Sequence, residues 1–306
     1  MKVLVATEKP FAAVAVDGIR QVVEEAGETL ELLEKYTCRQ QLLDAVSDAD
    51  ALIIRSDKVD AELFAAAPRL KIVVRAGAGY DNVDLAAATA AGVCVENTPG
   101  QNSNAVAELV FGLAVMMARN LYNGTSGTEL KGKNLGIHAF GQVGRNVARI
   151  ARGFEMNVSA LDPYCPDQVM LDAGVQPVHS VEDLYRNNQY VSLHIPATAE
   201  TRKSVGYDLV MQMPKGALLI NTARKEVIDE EGLIQALDKR PDLKYVADIA
   251  PDRAAEMLER FPGRVFFTPK KMGAQTAEAN INAGIAAARQ VIDFLRNGNA
   301  PFRVNK

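Results

Sequence analysis

Short apolar runs rich in β-branched residues alternate along this chain with longer segments whose apolar residues recur at helical spacing. Strands and helices that alternate in this way form parallel sheets with helices packed on their faces. The pattern therefore predicts an α/β fold. The predicted strands form a first series at residues 3–6, 52–55, 72–75 and 93–96, and a second at residues 135–140, 158–161, 190–194, 218–221, 245–249 and 265–268.

The two series are separated by the segment NTPGQNSNA, residues 97–105, in which Pro99 and Gly100 interrupt both periodicities. Such a stretch is typical of a domain boundary. With 306 residues, 48% of them hydrophobic, the chain is long enough for two domains that each bury a core. We therefore predict two Rossmann-like, doubly wound parallel-sheet domains with a cleft between them. A last helix, at about residues 276–296, is long enough to return to the first domain.

Composition argues against several classes of partner. The formal net charge of -4 and the pI near 5.6 give no reason to expect nucleic acid or an anionic membrane surface. Cys38, Cys94 and Cys165 show neither paired nor metal-binding spacing, so we expect no disulfide framework and no metal site. The N-terminus lacks the apolar centre of a signal peptide, and the longest apolar stretch, residues 105–118, is too short to span a bilayer. We expect a soluble, cytoplasmic protein.

The segment KNLGIHAFGQVGRNVARIARGF, residues 133–154, predicts a strand, a glycine-containing turn and a helix. Glycines allow close backbone approach, and a helix N-terminus offers unpaired N–H groups and a positive dipole end, as a dinucleotide pyrophosphate requires. The alternative is an ordinary strand–turn–helix corner. The predicted cofactor contacts in this turn are Phe140, Gly141, Gln142, Val143 and Gly144.

Asp162 ends the next predicted strand, close to the spacing at which a carboxylate meets an adenosine ribose. No Arg or Lys follows it directly, which favours NAD over NADP. One position departs from the GxGxxG fingerprint, because Ala139 stands where its first glycine would be. We expect its Cβ to shift the turn slightly and to weaken binding without abolishing it.

Seven separated segments carry further motifs: IRSDKVD (54–60), RAGAGYDNVDL (75–85), ENTPGQNSNAVAEL (96–109), AFGQVG (139–144), HIPAT (194–198), INTARKEVIDEEGL (220–233) and TPKKMGAQTAEA (268–279). Together and in this order they resemble the D-2-hydroxyacid dehydrogenases, and the short 3-phosphoglycerate dehydrogenases in particular. The resemblance implies a discontinuous, flavodoxin-like substrate-binding domain at residues 1–98 and 285–306. It also implies an NAD-binding Rossmann domain at residues 99–284, and a homodimer formed through that domain.

The activity implied by the resemblance is oxidation of 3-phosphoglycerate to 3-phosphohydroxypyruvate with NAD, the first step of serine biosynthesis. Two alternatives stay open. The same family includes glycerate and hydroxypyruvate reductases, which lack the residues that bind the substrate phosphate. The fold also serves NAD-sensing corepressor-like proteins, in which binding rather than turnover is the function.

The resemblance also assigns roles on the cofactor side. Arg224 binds the substrate carboxylate and polarises the adjacent carbonyl, and a guanidinium at a strand end suits that role. Asn221 braces its loop. Asp248 binds the nicotinamide carboxamide, with a helix cap as the alternative. Further cofactor contacts are expected at His194, Ile195, Pro196, Thr222, Ala223 and Gly273.

The family's usual acid/base histidine and its glutamate partner are both missing, since Lys270 and Arg253 occupy the matching positions. A lysine takes the hydroxyl proton only as a neutral amine, a form that desolvation and the charge of Arg224 favour. We therefore expect Lys270 to be the acid/base, with a degraded site as the alternative. Asp252 as a carboxylate partner and Lys271 as the base are weaker candidates. The histidines fit other roles: His138 in the core, His179 in a loop and His194 as a cofactor-side wall.

Local positive charge is needed if an acidic protein is to hold a phosphorylated acid. Arg55, Lys58 and Arg75 lie at or just beyond predicted strand ends, where we expect them to face the phosphate. They are solvated surface cations in the alternative interpretation. The small-residue loop after Arg75 offers backbone N–H groups to the substrate carboxylate, or else is a turn that needs glycine for its geometry. The remaining predicted substrate contacts are Ser56, Ala76, Gly77, Ala78, Gly79 and Asn102.

Overall fold

In this computed structural model the described residues, 1–305, form two compact units. Unit 1 consists of Met1–Asn102 and Gln275–Lys306, and unit 2 consists of Ser103–Ala274. The divisions follow residues 102 and 274, whereas the sequence prediction placed them after residues 98 and 284. The second predicted boundary cut the last helix, which lies wholly within unit 1.

Unit 1 is built around a parallel sheet. Its strands are β1 (Lys2–Thr7), β2 (Thr29–Glu34), β3 (Ala51–Ile54), β4 (Ile72–Arg75) and β5 (Cys94–Asn97). Its helices are α1 (Ala13–Glu25), α2 (Arg39–Val46), α3 (Ala61–Ala66), α4 (Leu85–Ala90) and, last in the chain, α12 (Ala277–Asn297). The strand order is β2-β1-β3-β4-β5 with parallel pairing throughout. This is the order of flavodoxin-like doubly wound sheets.

Unit 2 contains a larger parallel sheet. Its strands are β6 (Asn134–His138), β7 (Asn157–Leu161), β8 (Gln176–Pro177), β9 (Tyr190–Leu193), β10 (Leu218–Asn221), β11 (Lys244–Ala247) and β12 (Val265–Phe267). Its α-helices are α5 (Ser103–Ala118), α6 (Gln142–Gly153), α7 (Asp167–Asp172), α8 (Val181–Asn187), α9 (Tyr207–Gln212), α10 (Glu230–Lys239) and α11 (Ala254–Arg260). Single 3₁₀ turns lie at Asn120–Tyr122 and Lys225–Val227. The order β12-β11-β10-β9-β6-β7-β8 reverses direction between β6 and β9, the switch point at which such sheets bind ligands.

The strands are apolar on both faces because helices cover both sides of each sheet. In β1, Val3 and Val5 join one buried cluster and Leu4 and Ala6 join the other, all with 0% exposure. Successive residues of a strand point to opposite faces, so this two-sided burial produces the continuous apolar runs seen in the sequence. The predicted fold class, two Rossmann-like parallel-sheet domains, is confirmed.

Two strands were not predicted. β2, with the sequence TLELLE, and the two-residue β8 both lie at sheet edges. An edge strand is covered less completely than a central one, and every residue of β2 is at least partly exposed. Polar residues therefore interrupt the continuous apolar run by which the other strands were recognised.

The described part of the chain, residues 1–305, has no helix with both the length and the apolar composition needed to cross a membrane. In the same part of the chain, no three His, Cys, Asp or Glu side chains are grouped so that they could hold a metal ion. Its three cysteines are free thiols.

Two histidines lie side by side at the switch point. His138 ends β6 and His194 follows β9, and the backbone N–H of His194 donates to His138 O at 2.9 Å. His138 Nδ1 lies 3.3 Å from the Tyr185 hydroxyl, and His194 Nε2 lies 3.0 Å from Ser192 Oγ. Burial lowers the pKa of His138 to about 4, and burial together with the nearby His138 lowers the pKa of His194 to about 3. Both are therefore neutral at physiological pH.

These histidines make unit 2 sensitive to acid. Histidine in the unfolded chain titrates near 6.5, so between about pH 6.5 and pH 4 the unfolded state binds protons that the folded state does not. The free energy of unfolding should fall by about 1.4 kcal/mol per pH unit for each histidine as the pH drops through this window. Urea denaturation at about pH 5 and pH 7 should show a smaller pH effect for His194→Gln than for wild type.

The exposed His179 provides the matched control, because its side chain keeps 76% exposure beside Asp167. His179→Gln should show the wild-type difference between the two pH values. Equal pH effects in all three proteins would contradict the burial of His194 in the neutral form.

Candidate active site

The glycine-containing turn connects β6 to α6. Ala139 has φ +84°, in the left-handed region that favours glycine, and its N–H donates to Leu161 O at 2.9 Å. Gly141 is the N-cap of α6, is exposed, and has no atom within 4 Å of the position a Cβ would take. No side chain caps this helix end. The first turn of α6 thus presents unpaired N–H groups to open space, as an anion site requires.

The carboxylate of Asp162 fixes this turn from the next strand. Its Oδ2 accepts from Phe140 N at 2.8 Å, and its Oδ1 accepts from Tyr164 N at 2.9 Å. A carboxylate oxygen has two acceptor sites, so each oxygen keeps one for a ribose hydroxyl. Asp162 is half-buried. It therefore combines the position predicted for a ribose ligand with a structural role that the sequence did not indicate.

A buried hydroxyl points to a missing partner on the same side of the sheet. Thr222 follows β10 directly and is 7% exposed, and its Oγ1 bonds to no group among residues 1–305. Native proteins rarely leave a buried hydroxyl without a partner. With the uncapped helix end of α6 and the half-buried carboxylate of Asp162, this orphaned donor fits a dinucleotide cofactor. Of the remaining predicted contacts, Gln142 is exposed, Val143 and Ala223 are half-buried, Gly144 and Ile195 are buried, and Pro196 is exposed.

Arg224 extends from the loop after β10. The side chain of Asn221 braces this loop, accepting from Ala223 N at 3.0 Å and donating to Arg224 O at 2.9 Å. The Arg224 guanidinium is half-buried, and its Nη1 donates to Ala223 O at 2.9 Å. A brace by Asn221 is what the sequence led us to expect, and it fixes the backbone from which the guanidinium extends.

Asp248 follows β11 and is 1% exposed. Its Oδ1 accepts from Thr268 Oγ1 at 3.0 Å and from Met272 N at 2.7 Å, and its Oδ2 accepts from Gly273 N at 2.7 Å. Its three bonds go to the loop that carries Lys270. The nicotinamide carboxamide contact expected from the sequence stays a prediction.

In unit 1, Arg75 and Gly77 form one arrangement at the end of β4. Arg75 Nε donates to Arg55 O at 3.0 Å, and Arg75 Nη1 lies 1.6 Å from the position a Cβ of Gly77 would take. Gly77 also has φ +146°, which L side chains rarely adopt. The residue must therefore be glycine, both for its backbone conformation and because the guanidinium lies against it.

Arg55 is engaged inside unit 1. Its Nη1 donates to the carbonyls of Lys9 and Pro10, both at 3.1 Å, and its Nη2 donates to Asn280 Oδ1 at 2.6 Å. The guanidinium lies over the Phe11 ring at 5.2 Å, and burial lowers the pKa of Arg55. These contacts give Arg55 a structural role beside the one predicted for it.

The other predicted substrate contacts differ in exposure. Lys58 is 77% exposed on its side chain and pairs with Asp60 at 3.0 Å, as expected for a solvated surface cation. The remaining residues divide into exposed Ser56 and Ala78, half-buried Gly79 and Asn102, and buried Ala76.

Residues 106–269 match the family model described as D-isomer specific 2-hydroxyacid dehydrogenase, NAD binding domain. The match covers more than half of the chain and lies within unit 2. The chain belongs to the D-2-hydroxyacid dehydrogenase family. Unit 2 is the NAD-binding domain of this family, which confirms the predicted cofactor.

Individual relatives of this chain include proteins named for both activities considered above. The structure of NAD+-bound 3-phosphoglycerate dehydrogenase from Entamoeba histolytica is similar over 100% of this chain and 99% of that chain, with 46% identity and a TM-score of 0.89. A D-3-phosphoglycerate dehydrogenase of Methanocaldococcus jannaschii is 35% identical over 302 residues, covering 93% of this chain and 57% of that protein. A hydroxypyruvate reductase of Thermotoga maritima is 33% identical over 288 residues, covering 88% of this chain and 92% of that protein. The chain therefore spans little more than half of the Methanocaldococcus relative.

The sequence prediction set Lys270 and Arg253 at the positions of the family's histidine and glutamate. In the structure, Arg253 forms ion pairs with Glu231 and Glu256. Asp252, the weaker candidate for a carboxylate partner of the base, pairs with Lys225. Lys270 is exposed to solvent rather than desolvated as the sequence reasoning required.

Sequence reasoning missed one polar residue in each unit. In unit 2, Thr268 is 6% exposed and bonds Asp248. In unit 1, Asp57 is 5% exposed and accepts from Glu8 N, the Tyr36 hydroxyl and Arg55 N. An acidic residue three positions after a buried strand was the available signal for Asp57.

Replacing Ala139 by glycine should stabilise the protein. A left-handed backbone costs an L-residue about 1–2 kcal/mol, of which the greater freedom of glycine in the unfolded chain offsets up to about 1 kcal/mol. We expect Ala139→Gly to raise the free energy of unfolding in urea by about 1 kcal/mol. Ala173→Gly is the control, because φ at Ala173 is -81° and no strain is relieved there. A loss of stability in Ala139→Gly would refute the strained turn.

Proposed function

We propose that this chain is an NAD-dependent D-3-phosphoglycerate dehydrogenase, which oxidises 3-phosphoglycerate to 3-phosphohydroxypyruvate. The observation that carries the proposal is the likeness to the Entamoeba histolytica 3-phosphoglycerate dehydrogenase at 46% identity over the whole length of both chains. The basic residues at the strand ends of unit 1 support a phosphorylated substrate.

NAD, when bound, accepts the hydride that leaves C2 of the hydroxy acid. The residues that would hold it are the first turn of α6 for the pyrophosphate, Asp162 for the ribose and Thr222 through its unpaired hydroxyl. Half-buried His194 and buried Ile195 are further contacts expected from the resemblance. The absence of a basic residue directly after Asp162 supports NAD rather than NADP.

Arg224 binds the substrate carboxylate through paired N–H groups, the geometry in which a guanidinium recognises a carboxylate best. The same cation polarises the C2 oxygen as it becomes a carbonyl. Asn221 supports this role, because its side chain bonds both neighbouring peptide units of the loop. The N–H groups of the loop from Gly77 to Gly79 would meet the carboxylate as well.

Lys270 takes the proton of the C2 hydroxyl while the hydride leaves C2, and in the reverse reaction it returns that proton. The resemblance sets the lysine at the position of the family histidine, and two observations support the choice. His138 and His194 are half-buried in side-chain contacts of their own, and Lys270 is exposed and accessible to a substrate. A carboxylate beside the amine would hold it as an ammonium, so the pairing of Arg253 and Asp252 elsewhere agrees with this role.

The phosphate of the substrate is held by Arg75 and Lys58. The other predicted substrate contacts in the motifs of unit 1 are Arg55, Ser56 and Asn102. Arg75 contributes more to phosphate affinity than Lys58 does. Its Nε is already fixed on Arg55 O, so little side-chain freedom is lost when the phosphate binds. We also propose that the protein is cytoplasmic and that it forms a homodimer through unit 2; the resemblance to the family supports the homodimer.

Hydroxypyruvate reduction is the second candidate. It is favoured by one observation, that the Thermotoga maritima hydroxypyruvate reductase is matched over 92% of its own length. The two candidates differ only in whether the substrate carries a phosphate.

Turnover with NAD and a panel of acids tests the proposal directly. We expect kcat/KM for 3-phosphoglycerate to exceed that for glycerate and lactate by at least about 10²-fold, because glycerate and lactate lack the phosphate that the basic residues of unit 1 bind. The measurement is initial NADH formation at alkaline pH, and the reverse reaction with hydroxypyruvate is the comparison. A preference for unphosphorylated hydroxypyruvate would favour the second candidate, and no turnover with any acid would refute both.

Lys270→Ala should lower kcat by at least about 10²-fold, the usual cost of a lost general base, with little effect on the KM for NAD. Lys271→Ala is the matched comparison, since the two lysines are adjacent and both exposed. Steady-state kinetics with 3-phosphoglycerate provide the measurement. Near wild-type turnover in Lys270→Ala would reject Lys270, and a loss confined to Lys271→Ala would move the base by one residue.

A further inference from the structure

The carboxylate of Asp248 closes the loop from Thr268 to Gly273 onto the sheet of unit 2. Its donors come from both sides of Lys270: Thr268 Oγ1 from two residues before it, and Met272 N and Gly273 N from two and three residues after it. The backbone N–H of Thr268 also donates to Ala247 O at 3.1 Å. The loop is therefore fixed at both ends, with the two lysines between the fixed points.

Gly273 is shaped to this contact. A Cβ at this position would lie 2.8 Å from Asp248 Oδ2 and 3.2 Å from Val106 Cγ2. Contacts under 3.0 Å force a shift, and here the opposing atom belongs to a buried carboxylate that is itself held by three bonds. The close approach of this backbone to Asp248 requires glycine.

The same edge of the sheet holds the loop of Arg224. Asp248 N donates to Asn221 O at 2.9 Å, and the side chain of Asn221 accepts from Ala223 N and donates to Arg224 O. β10 and β11 are paired neighbours, so the two anchors stand next to each other. The loop of Arg224 and the loop of Lys270 are thus held by the side chains of two neighbouring strand-end residues, Asn221 and Asp248.

We propose that Asp248 is a positioning residue, which sets the place of the Lys270 amine by fixing the backbone on both sides of it. In the family a glutamate orients the catalytic histidine directly. Here the corresponding Arg253 is paired with Glu231 and Glu256, so orientation has to come from the backbone. This inference rests on the proposed function, in which Lys270 is the base.

The nicotinamide role expected from the sequence is a separate hypothesis about the same carboxylate. Oδ1 already accepts two bonds and Oδ2 accepts one, so a single acceptor position is left on a side chain with 1% exposure. A carboxamide contact would appear in the affinity for NAD. A positioning role would appear in kcat, through Lys270.

We call the bonds of Asp248 to Thr268, Met272 and Gly273 the clamp. The first test measures how firmly the clamp holds the loop, without an activity assay. Hydrogen exchange should show the amides of Met272 and Gly273 protected in the wild-type protein and exchanging at least about 10-fold faster in Asp248→Asn and in Thr268→Val. Asp252→Asn is the matched control, since this nearby exposed carboxylate pairs with Lys225 instead. Unchanged exchange in both clamp variants would overturn the proposal whether or not the chain oxidises 3-phosphoglycerate.

The second test asks whether the clamp acts through the lysine. Misplacing a reacting group by about 1 Å can reduce a rate about 10²-fold, so we expect Asp248→Asn to lower kcat by about that factor while the Kd for NAD changes less than about 3-fold. In the Lys270→Ala background, Asp248→Asn should lower kcat no further, because its effect has already been lost. Thr268→Val gives a second, milder removal of the clamp if Asp248→Asn folds poorly.

The outcomes distinguish a failure of the positioning role of Asp248 from a failure of Lys270 as the base. If Asp248→Asn lowers kcat by the same factor in the Lys270→Ala background as in the wild-type protein, the positioning role is overturned. A weaker affinity for NAD in Asp248→Asn with unchanged kcat would overturn it as well. Full turnover in Lys270→Ala together with a loosened loop in Asp248→Asn would reject the lysine base in the proposed function and would leave Asp248 with no base to position, which also overturns this inference.

Discussion

Parallel pairing brings the carboxyl ends of the strands of unit 2 to one edge of the sheet, where the loops lose the hydrogen-bond ladder that fixes the strands. Backbone groups at such a place need other partners. Short polar side chains at the strand ends supply them: Asp162 after β7, Asn221 at the end of β10 and Asp248 after β11 each bond at least two backbone groups of a loop. The geometry of the candidate site depends on these three anchors.

Asp248 illustrates how such an anchor is balanced energetically. Burying a carboxylate costs several kcal/mol, and three hydrogen bonds to a charged acceptor, at about 1.5–3 kcal/mol each, offset a cost of that size. The carboxylate therefore fixes the loop, and the hydrogen bonds from the loop offset the cost of burying the carboxylate. Loss of either side leaves buried polar groups unpaired, so the segment around Lys270 is tied to the sheet core of unit 2 rather than held by local turn residues alone.

Much of the fold could be predicted because strands covered on both faces leave continuous apolar runs, as in β1, β4 and β10. The edge strand β2 left no such run and was missed. The glycine-containing turn, Asp162 and the loop of Arg224 were found because they depend on local sequence. The bonds of Asp248 to Met272 and Gly273, and of Arg55 to Asn280, join residues far apart in the chain and leave no local pattern, so only the structure reveals them.

Both departures of the chain from its family motifs lie in loops that these anchors hold. Ala139 keeps a left-handed backbone because its own N–H is bonded to Leu161 O and the next N–H, that of Phe140, is bonded to Asp162. Lys270, predicted to stand in place of the family histidine, lies between two points fixed by Asp248. A strained residue persists only where the surrounding structure over-determines the backbone. The carboxylates of Asp162 and Asp248 supply such constraints, because they fix the backbone beside Ala139 and on both sides of Lys270.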